Sequence, residues 1–341
     1  MTTIKEIAQR AGVSIGTVSN VINGTAAVSD RRRERVQAAI QELDYHPNQV
    51  ARSLKIRRTG MVGMIISDIT NPFFPQLVRG AEDALLKQQN LLITFNTDDR
   101  LEREQHIFSV LRAHRVDGVL VVVAPGDSQA VHIQDARKAG LPIVCLDRVP
   151  PGLEIDIVSV DNVGGTRQCI EHLLAQGHRE IAIITGPVAL ETARERLQGY
   201  SEALGQAGIP VRKEWIREGD FRADSGYRLG KELLSTPTRP TALFVSNNTM
   251  TLGVLRALEE CGVRCPEEIA LAMFDDLPLT DSFHPHLTAV AQPAYAIGYR
   301  GAELLLERIE KKSEGQPPLK IQLPTELKIR ESSTGYLRRS G

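Results

Sequence analysis

A chain of 341 residues, 42% hydrophobic and nearly neutral at a formal net charge of −1, is too long for one small domain and can bury more than one core. No apolar run reaches the length of a membrane span, and no apolar signal core opens the chain. The cysteines Cys145, Cys169, Cys261 and Cys265 lack paired spacing, so they read as small buried thiols of a reducing, cytoplasmic compartment rather than a metal or redox site.

The run from Ile4 to Gly24, IKEIAQRAGVSIGTVSNVING, reads as two short helices joined by a tight turn. Ile4, Ile7 and Ala8 recur at helical spacing, Gly12 breaks the first helix, and Val18, Val21 and Ile22 repeat the spacing in the second. Ser14 stands as N-cap of the second helix, which leaves Ile15, Gly16, Thr17, Ser19 and Asn20 on its outer face. Small and polar side chains at a helix N-terminus suit the DNA major groove. Ser29 is placed to cap a third helix with a Val36, Ala39, Ile40 and Leu43 stripe.

Charge supports a nucleic-acid role for this segment. Through Arg58 there are ten Lys and Arg against five Asp and Glu, a surplus of about +5, while the remainder holds 31 against 37. Phosphate neutralisation by a small basic head on an acidic body fits that asymmetry. The cluster Arg31, Arg32, Arg33 and Arg35 reads equally as a solvated helix face.

Residues 1–60 resemble the headpiece of the lactose-repressor/galactose-repressor (LacI/GalR) family of bacterial transcription regulators. The runs TIKEIAQRAGVS, TVSNVING, RERVQAAIQELDYHPN and ARSLKIRRTG carry the resemblance. The segment NQVARSLK after Pro47 is a helix of about eight residues, too short to be stable alone in water. Its stripe of Val50, Ala51 and Leu54 suits cover by a second copy of the same segment. The resemblance implies paired hinge helices in the minor groove, with Leu54 as a wedge between base pairs and Arg52, Ser53 and Lys55 beside it. Gly16 departs from the family pattern, because it leaves no side chain at a position that often helps read bases. Ile15, Thr17 and Asn20 are then left to carry specificity.

The body alternates apolar runs (MVGMIIS, LLITF, GVLVVV, PIVCL, EIAIIT, ALFVS, IALAMF) with amphipathic helices at 73–88, 102–114, 163–175, 194–207, 251–261 and 294–312. A last strand is expected near 325–329. This pattern predicts an α/β periplasmic-binding-protein-like body of two doubly wound parallel-sheet lobes behind the all-α helix-turn-helix headpiece. Residues 1–47 form the headpiece, 48–59 the hinge and linker, and 60–341 the effector-binding and dimerisation domain. Its N-lobe takes about 60–161 and 292–320, and its C-lobe about 162–291 and 321–341.

Doubly wound sheets bind ligands beyond the carboxyl edges of their strands. Phe73 and Phe74 follow the first strand, Asp147 and Arg148 follow PIVCL, Asn247 follows ALFVS, and Asp275 ends IALAMF. Arg196 starts a helical segment and Phe221 follows a Gly-Asp turn. The aromatics read alternatively as core and the Asp-Arg neighbours as an ion pair. The resemblance implies that Phe74, Asp147, Arg196, Phe221, Asn247 and Asp275 line an effector pocket, with Phe73, Arg148 and Thr192 as further candidates. By the same resemblance Leu190 replaces an arginine of purine-sensing members, and Asn248 replaces an aspartate yet keeps the capacity to cap the next helix.

Enzyme motifs are missing: there is no G-x-G-x-x-G after the first strand, no G-x-x-x-x-G-K-[ST], no G-x-S-x-G and no H-E-x-x-H. His284 and His286, flanking Pro285, read as loop residues in preference to the metal reading that such a pair also allows, and no metal or cofactor is expected. The expectation is therefore a DNA-binding regulator, not an enzyme. It acts as a homodimer on a pseudo-palindromic operator, in the cytoplasm, and a small sugar or sugar acid releases it. A corepressor of opposite sign uses the same parts, and a protein partner on the N-lobe is the remaining alternative. The end TGYLRRSG, without leucine heptads, points to a dimer rather than a tetramer.

Overall fold

The computed structural model describes residues 2–23, 27–45, 58–126, 129–277, 284–311 and 317–335. The expected hinge residues Arg52, Ser53, Leu54 and Lys55 lie outside these. The chain divides into two compact units, Met1–Thr59 and Gly60–Gly341.

In the first unit, α1 (Ile4–Ala11), α2 (Ile15–Asn23) and α3 (Asp30–Glu42) pack around Ile7, Ala8, Ala11, Val18, Val36 and Ala39. Thr3 and Glu6 close a capping box at the start of α1, satisfying two otherwise orphaned backbone donors. Gly12 ends α1 at φ 62°, in the left-handed region, and a Cβ there would lie 2.3 Å from Nη2 of Arg35. Ser14 accepts from the Thr17 N–H at 3.1 Å and so caps α2. Ser29 occupies the cap position of α3, but its side chain makes no capping hydrogen bond; only its carbonyl does, accepting from Arg32 and Arg33.

The second unit holds two six-stranded sheets. The N-lobe sheet contains β1 (Met61–Ile66), β2 (Leu91–Asn96), β3 (Gly118–Val121), β4 (Ile143–Leu146), β5 (Asp156–Val160) and β11 (Lys320–Leu323), in the order β11-β5-β4-β3-β1-β2, all parallel. The C-lobe sheet contains β6 (Ile181–Thr185), β7 (Ile216–Glu218), β8 (Ala242–Val245), β9 (Ala270–Phe274), β10 (Thr288–Ala291) and β12 (Glu326–Lys328), in the order β12-β10-β9-β8-β6-β7. Here β12 runs antiparallel to β10, the one exception among these pairs to the expected parallel sheets.

The lobes share one wiring scheme, 2-1-3-4-5 repeated as 7-6-8-9-10, which puts a topological switch point in each. Helices α4 (Phe73–Lys87), α5 (Leu101–Ala113) and α6 (Val131–Lys138) connect N-lobe strands, and α11 (Ala294–Lys311), which follows β10, packs on the same lobe. Helices α7 (Asn162–Ala175), α8 (Glu191–Gln206), α9 (Ala223–Leu234) and α10 (Asn248–Glu260) serve the C-lobe.

Sequence patterning missed α6, α9 and strands β5, β7, β10 and β11. The last omission moves a boundary: β11 pairs with β5 from Lys320 to Leu323, so the chain leaves the N-lobe after Leu323, not after residue 320. Of the cysteines, Cys145 and Cys169 are buried, but Cys261 is exposed and Cys265 only partly covered, so the reading of four buried thiols fails for these two.

Candidate functional site

Strand ends of both sheets face one cleft between the lobes, where open α/β sheets bind their ligands. Phe73, Phe74, Asp147, Arg148, Thr192, Arg196, Phe221, Asn247 and Asp275 all line it. Leu190 is buried but lies outside this lining.

Asp147 follows β4 and Asp275 follows β9, and each donates its N–H to the neighbouring strand, to Val158 at 2.9 Å and Val290 at 3.0 Å. Both adopt left-handed backbone, at φ 66° and 68°, as does Phe221 at 65°. Non-glycine residues rarely persist there unless the surroundings fix them, and such strain gathers at binding sites. Both aspartates line the cleft at these strand ends.

Burial pushes the Asp147 carboxyl up to about 6, against the opposing pull of Arg196 and Arg148. Its Oδ1 accepts no hydrogen bond among the described residues. Burial also raises Asp275, with Arg196 and a hydrogen bond from Gln292 acting the other way. A buried carboxylate with an unused lone pair is an acceptor prepared for an outside donor.

The two deep arginines are already engaged by protein. Arg148 donates to the Val123 carbonyl at 2.7 Å, to Ser67 Oγ at 2.6 Å and to Asp99. Arg196 donates to Asn162 at 2.9 Å and to the Ser246 carbonyl at 2.6 Å, stacks 3.8 Å above Phe274, and stands 3.9 Å from Asp275. These bonds fix each planar guanidinium in place.

Asn247 plays two parts. Its Oδ1 caps α10 by accepting from Met250 N–H at 2.9 Å, while its amide donates to the Phe221 carbonyl at 3.0 Å. Asn248 therefore is not the cap, and its buried Nδ2 finds no partner among the described residues. Phe221 lies over Gly186, where a Cβ would come within 2.0 Å of its ring.

Sequence reasoning missed Ser67, Asp68, Asn71, Asp99, Asp220, Arg222 and Gln292 in the lining. Gln292 sits where the chain crosses between lobes, and Asp99 and Arg222 sit in loops, so no periodic pattern marks them. Arg222 spans the cleft: from the C-lobe it donates to the Asp98 carbonyl at 3.2 Å and stands 3.9 Å from Asp68.

In the headpiece, Ile15 is 48% exposed at the start of α2. Ser14 and Gly16 are exposed with it, while Thr17, Ser19 and Asn20 are half-buried. Arg31, Arg32, Arg33 and Arg35 are exposed on α3.

Comparison with known proteins agrees with this architecture. Residues 3–48 match the family of bacterial regulatory proteins, lacI family, and residues 170–333 match the periplasmic binding protein-like domain. The HTH-type transcriptional repressor PurR of Photobacterium profundum is 35% identical over 332 residues, 97% of this chain and 98% of the relative. A solved complex of the transcriptional regulator CelR with cellobiose is 36% identical, covering 97% of this chain and all of that one, with a TM-score of 0.74. The Lac repressor dimer bound to operator and the anti-inducer ONPF is 30% identical over 97% of this chain and 99% of that one, with a TM-score of 0.86. Among the described residues no helix is long and apolar enough to cross a membrane. The chain belongs to the LacI family of bacterial regulatory proteins and is a DNA-binding transcriptional regulator of that family.

Proposed function

We propose that the protein is a cytoplasmic, homodimeric repressor that a small uncharged sugar, bound between the lobes, releases from a pseudo-palindromic operator. The observation that carries this reading is the convergence of Asp147, Arg196 and Asp275 with the rings of Phe74 and Phe221 in one cleft. Carboxylates accept pairs of hydroxyls, and aromatic faces cover the apolar side of a sugar ring.

Charge narrows the ligand class left open by the sequence. Five aspartates (Asp68, Asp99, Asp147, Asp220 and Asp275) line the cleft against three arginines, and both deep arginines already serve protein acceptors. A sugar acid would meet like charge, so the neutral sugar is favoured. The CelR relative holds cellobiose, a neutral sugar, and is consistent with that choice.

Dimer formation is supported by the N-lobe edge strand β2, whose Leu91 is 60% exposed and Ile93 38%, with Leu86 of α4 half exposed nearby in sequence. An apolar unpaired edge invites cover. On DNA, Ser14, Ile15, Gly16, Thr17, Ser19 and Asn20 would meet the major groove, and Arg52, Ser53, Leu54 and Lys55 the minor groove. Ligand and operator then oppose each other through linkage.

The relatives named PurR favour a second reading, a purine corepressor that strengthens DNA binding. Leu190, which stands where the resemblance puts an arginine in purine-sensing members, argues against it. Thermal unfolding against neutral sugars, sugar acids, sugar phosphates and purines separates these readings, because a ligand of the folded state raises the melting temperature. A neutral-sugar hit lost in Asp275→Ala supports the proposal; a purine hit replaces it.

A further inference from the structure

The end of the C-lobe sheet away from the cleft carries a second cluster. His286 precedes β10 and Asp275 follows the parallel β9, so the two residues stand at opposite ends of the sheet. There His284, His286 and Glu331 bring one ligand atom each within 4.8 Å of one another. His284 Nδ1 lies 2.9 Å from Glu331 Oε2, and the two imidazoles stack with centroids 4.5 Å apart.

The cluster is held by backbone as well as by side chains. The His286 N–H donates to Glu331 Oε2 at 3.1 Å, and the Ser332 N–H donates back to the His286 carbonyl at 2.9 Å. Ser332 Oγ in turn accepts from Thr288 N–H at 2.9 Å and donates to the Leu271 carbonyl at 2.6 Å. Two segments 45 residues apart are thus fixed with their ligand groups together before any ion arrives.

We infer that His284, His286 and Glu331 form a surface site for a borderline first-row divalent cation, with zinc as the best match. Two imidazoles and one carboxylate are a zinc donor set, and three protein ligands leave a position open to water. His284 is 74% exposed at its side chain, so an ion can reach the cluster from solvent. A bound ion would clamp the 284–287 loop to the 330–335 segment, and it would act independently of the cleft.

The test is titration calorimetry of the tag-free full-length protein with zinc alone, joined to thermal unfolding with and without EDTA. We expect one zinc per chain and a rise in melting temperature that EDTA reverses. Glu331→Gln and His284→Ala should each weaken binding at least about tenfold. Both are expected to melt like the parent without zinc; His284→Ala alone decides if Glu331→Gln does not. Cys265, whose thiol lies 3.6 Å from the Ser332 carbonyl, is the competing ligand nearby. Cys265→Ser and Asp275→Asn should leave zinc binding unchanged. Absence of binding in the parent, equal binding in His284→Ala, or loss in Cys265→Ser would overturn the assignment.

Discussion

Asp147 and Asp275 occupy the same station in two lobes of the same wiring. Each is the residue after the fourth strand of its sheet order, each is left-handed, and each donates its N–H to the strand that follows. The pair faces the cleft from opposite lobes, so a ligand that engages both is a bridge across it. Lobe closure thereby becomes part of the binding free energy.

Asp147 carries a stability penalty that a neutral side chain would remove. Its folded value lies near 6 against 3.8 unfolded, so the native state holds the proton more tightly. Stability from this group is complete below pH 3.8 and lost as pH rises through 6. Asp147→Asn, which also tolerates left-handed backbone, should therefore stabilise the ligand-free protein by about 1–3 kcal/mol at neutral pH. Chemical denaturation from pH 4 to 8 should show the gain growing with pH, while ligand affinity falls.

Gly186 sets the position of Phe221. A methyl group there would displace the ring, since 2.0 Å is far inside contact distance. Gly186→Ala should weaken ligand binding about tenfold or more, about 1.4 kcal/mol, with operator affinity in the absence of ligand unchanged. Calorimetry and fluorescence anisotropy on the same sample check both halves.

Arg222 reaches from one lobe to Asp68 and Asp98 of the other, half exposed and so individually weak. Arg222→Ala should leave the melting temperature nearly unchanged but favour the open cleft. Small-angle scattering should show a larger radius of gyration for the ligand-free variant, and ligand affinity should drop about three- to tenfold.

The ion pair of Arg308 and Asp156 is buried and two-pronged, at 2.8 and 2.7 Å, with Leu319 N–H adding a third bond to Asp156. It fastens α11 to β5, the strand next to the edge strand β11. Arg308→Met strands a buried carboxylate and should cost about 3–5 kcal/mol, measured by denaturant unfolding.

Removal of the α2 cap tests the headpiece separately. Ser14→Ala loses the hydrogen bond to Thr17 N–H and should destabilise α2 by about 1 kcal/mol. Operator affinity should fall, while the melting of the 60–341 unit stays in place.

Much of this site was legible because its residues follow strongly apolar strands. Asp147, Asn247 and Asp275 each end a run that could only be a buried strand, and carboxyl strand ends of such sheets face a common crevice. Of the strands that escaped notice, β7 has three residues, and β10 and β11 four each with β11 half exposed, whereas β5 has five, mostly buried, and its short run DIVSV is broken by polar residues. Conversely, the run LLITF looked buried, yet β2 is an edge strand with Leu91 largely open. Hydrophobicity marked the strand but not its place in the sheet. Gln292, Asp99 and Arg222 reach the cleft through lobe crossovers and loops, which only tertiary structure reveals. Glu331 joins His284 and His286 from the far end of the sequence, so the histidine pair alone gave no sign of a third ligand.

Operator binding, followed by fluorescence anisotropy for the parent and Asp275→Asn against a panel of neutral mono- and disaccharides, is the decisive measurement. A neutral sugar should weaken operator binding of the parent, raise its melting temperature, and do neither to Asp275→Asn. A sugar that bound yet left operator affinity unchanged, or a purine that strengthened it, would contradict sugar-induced release.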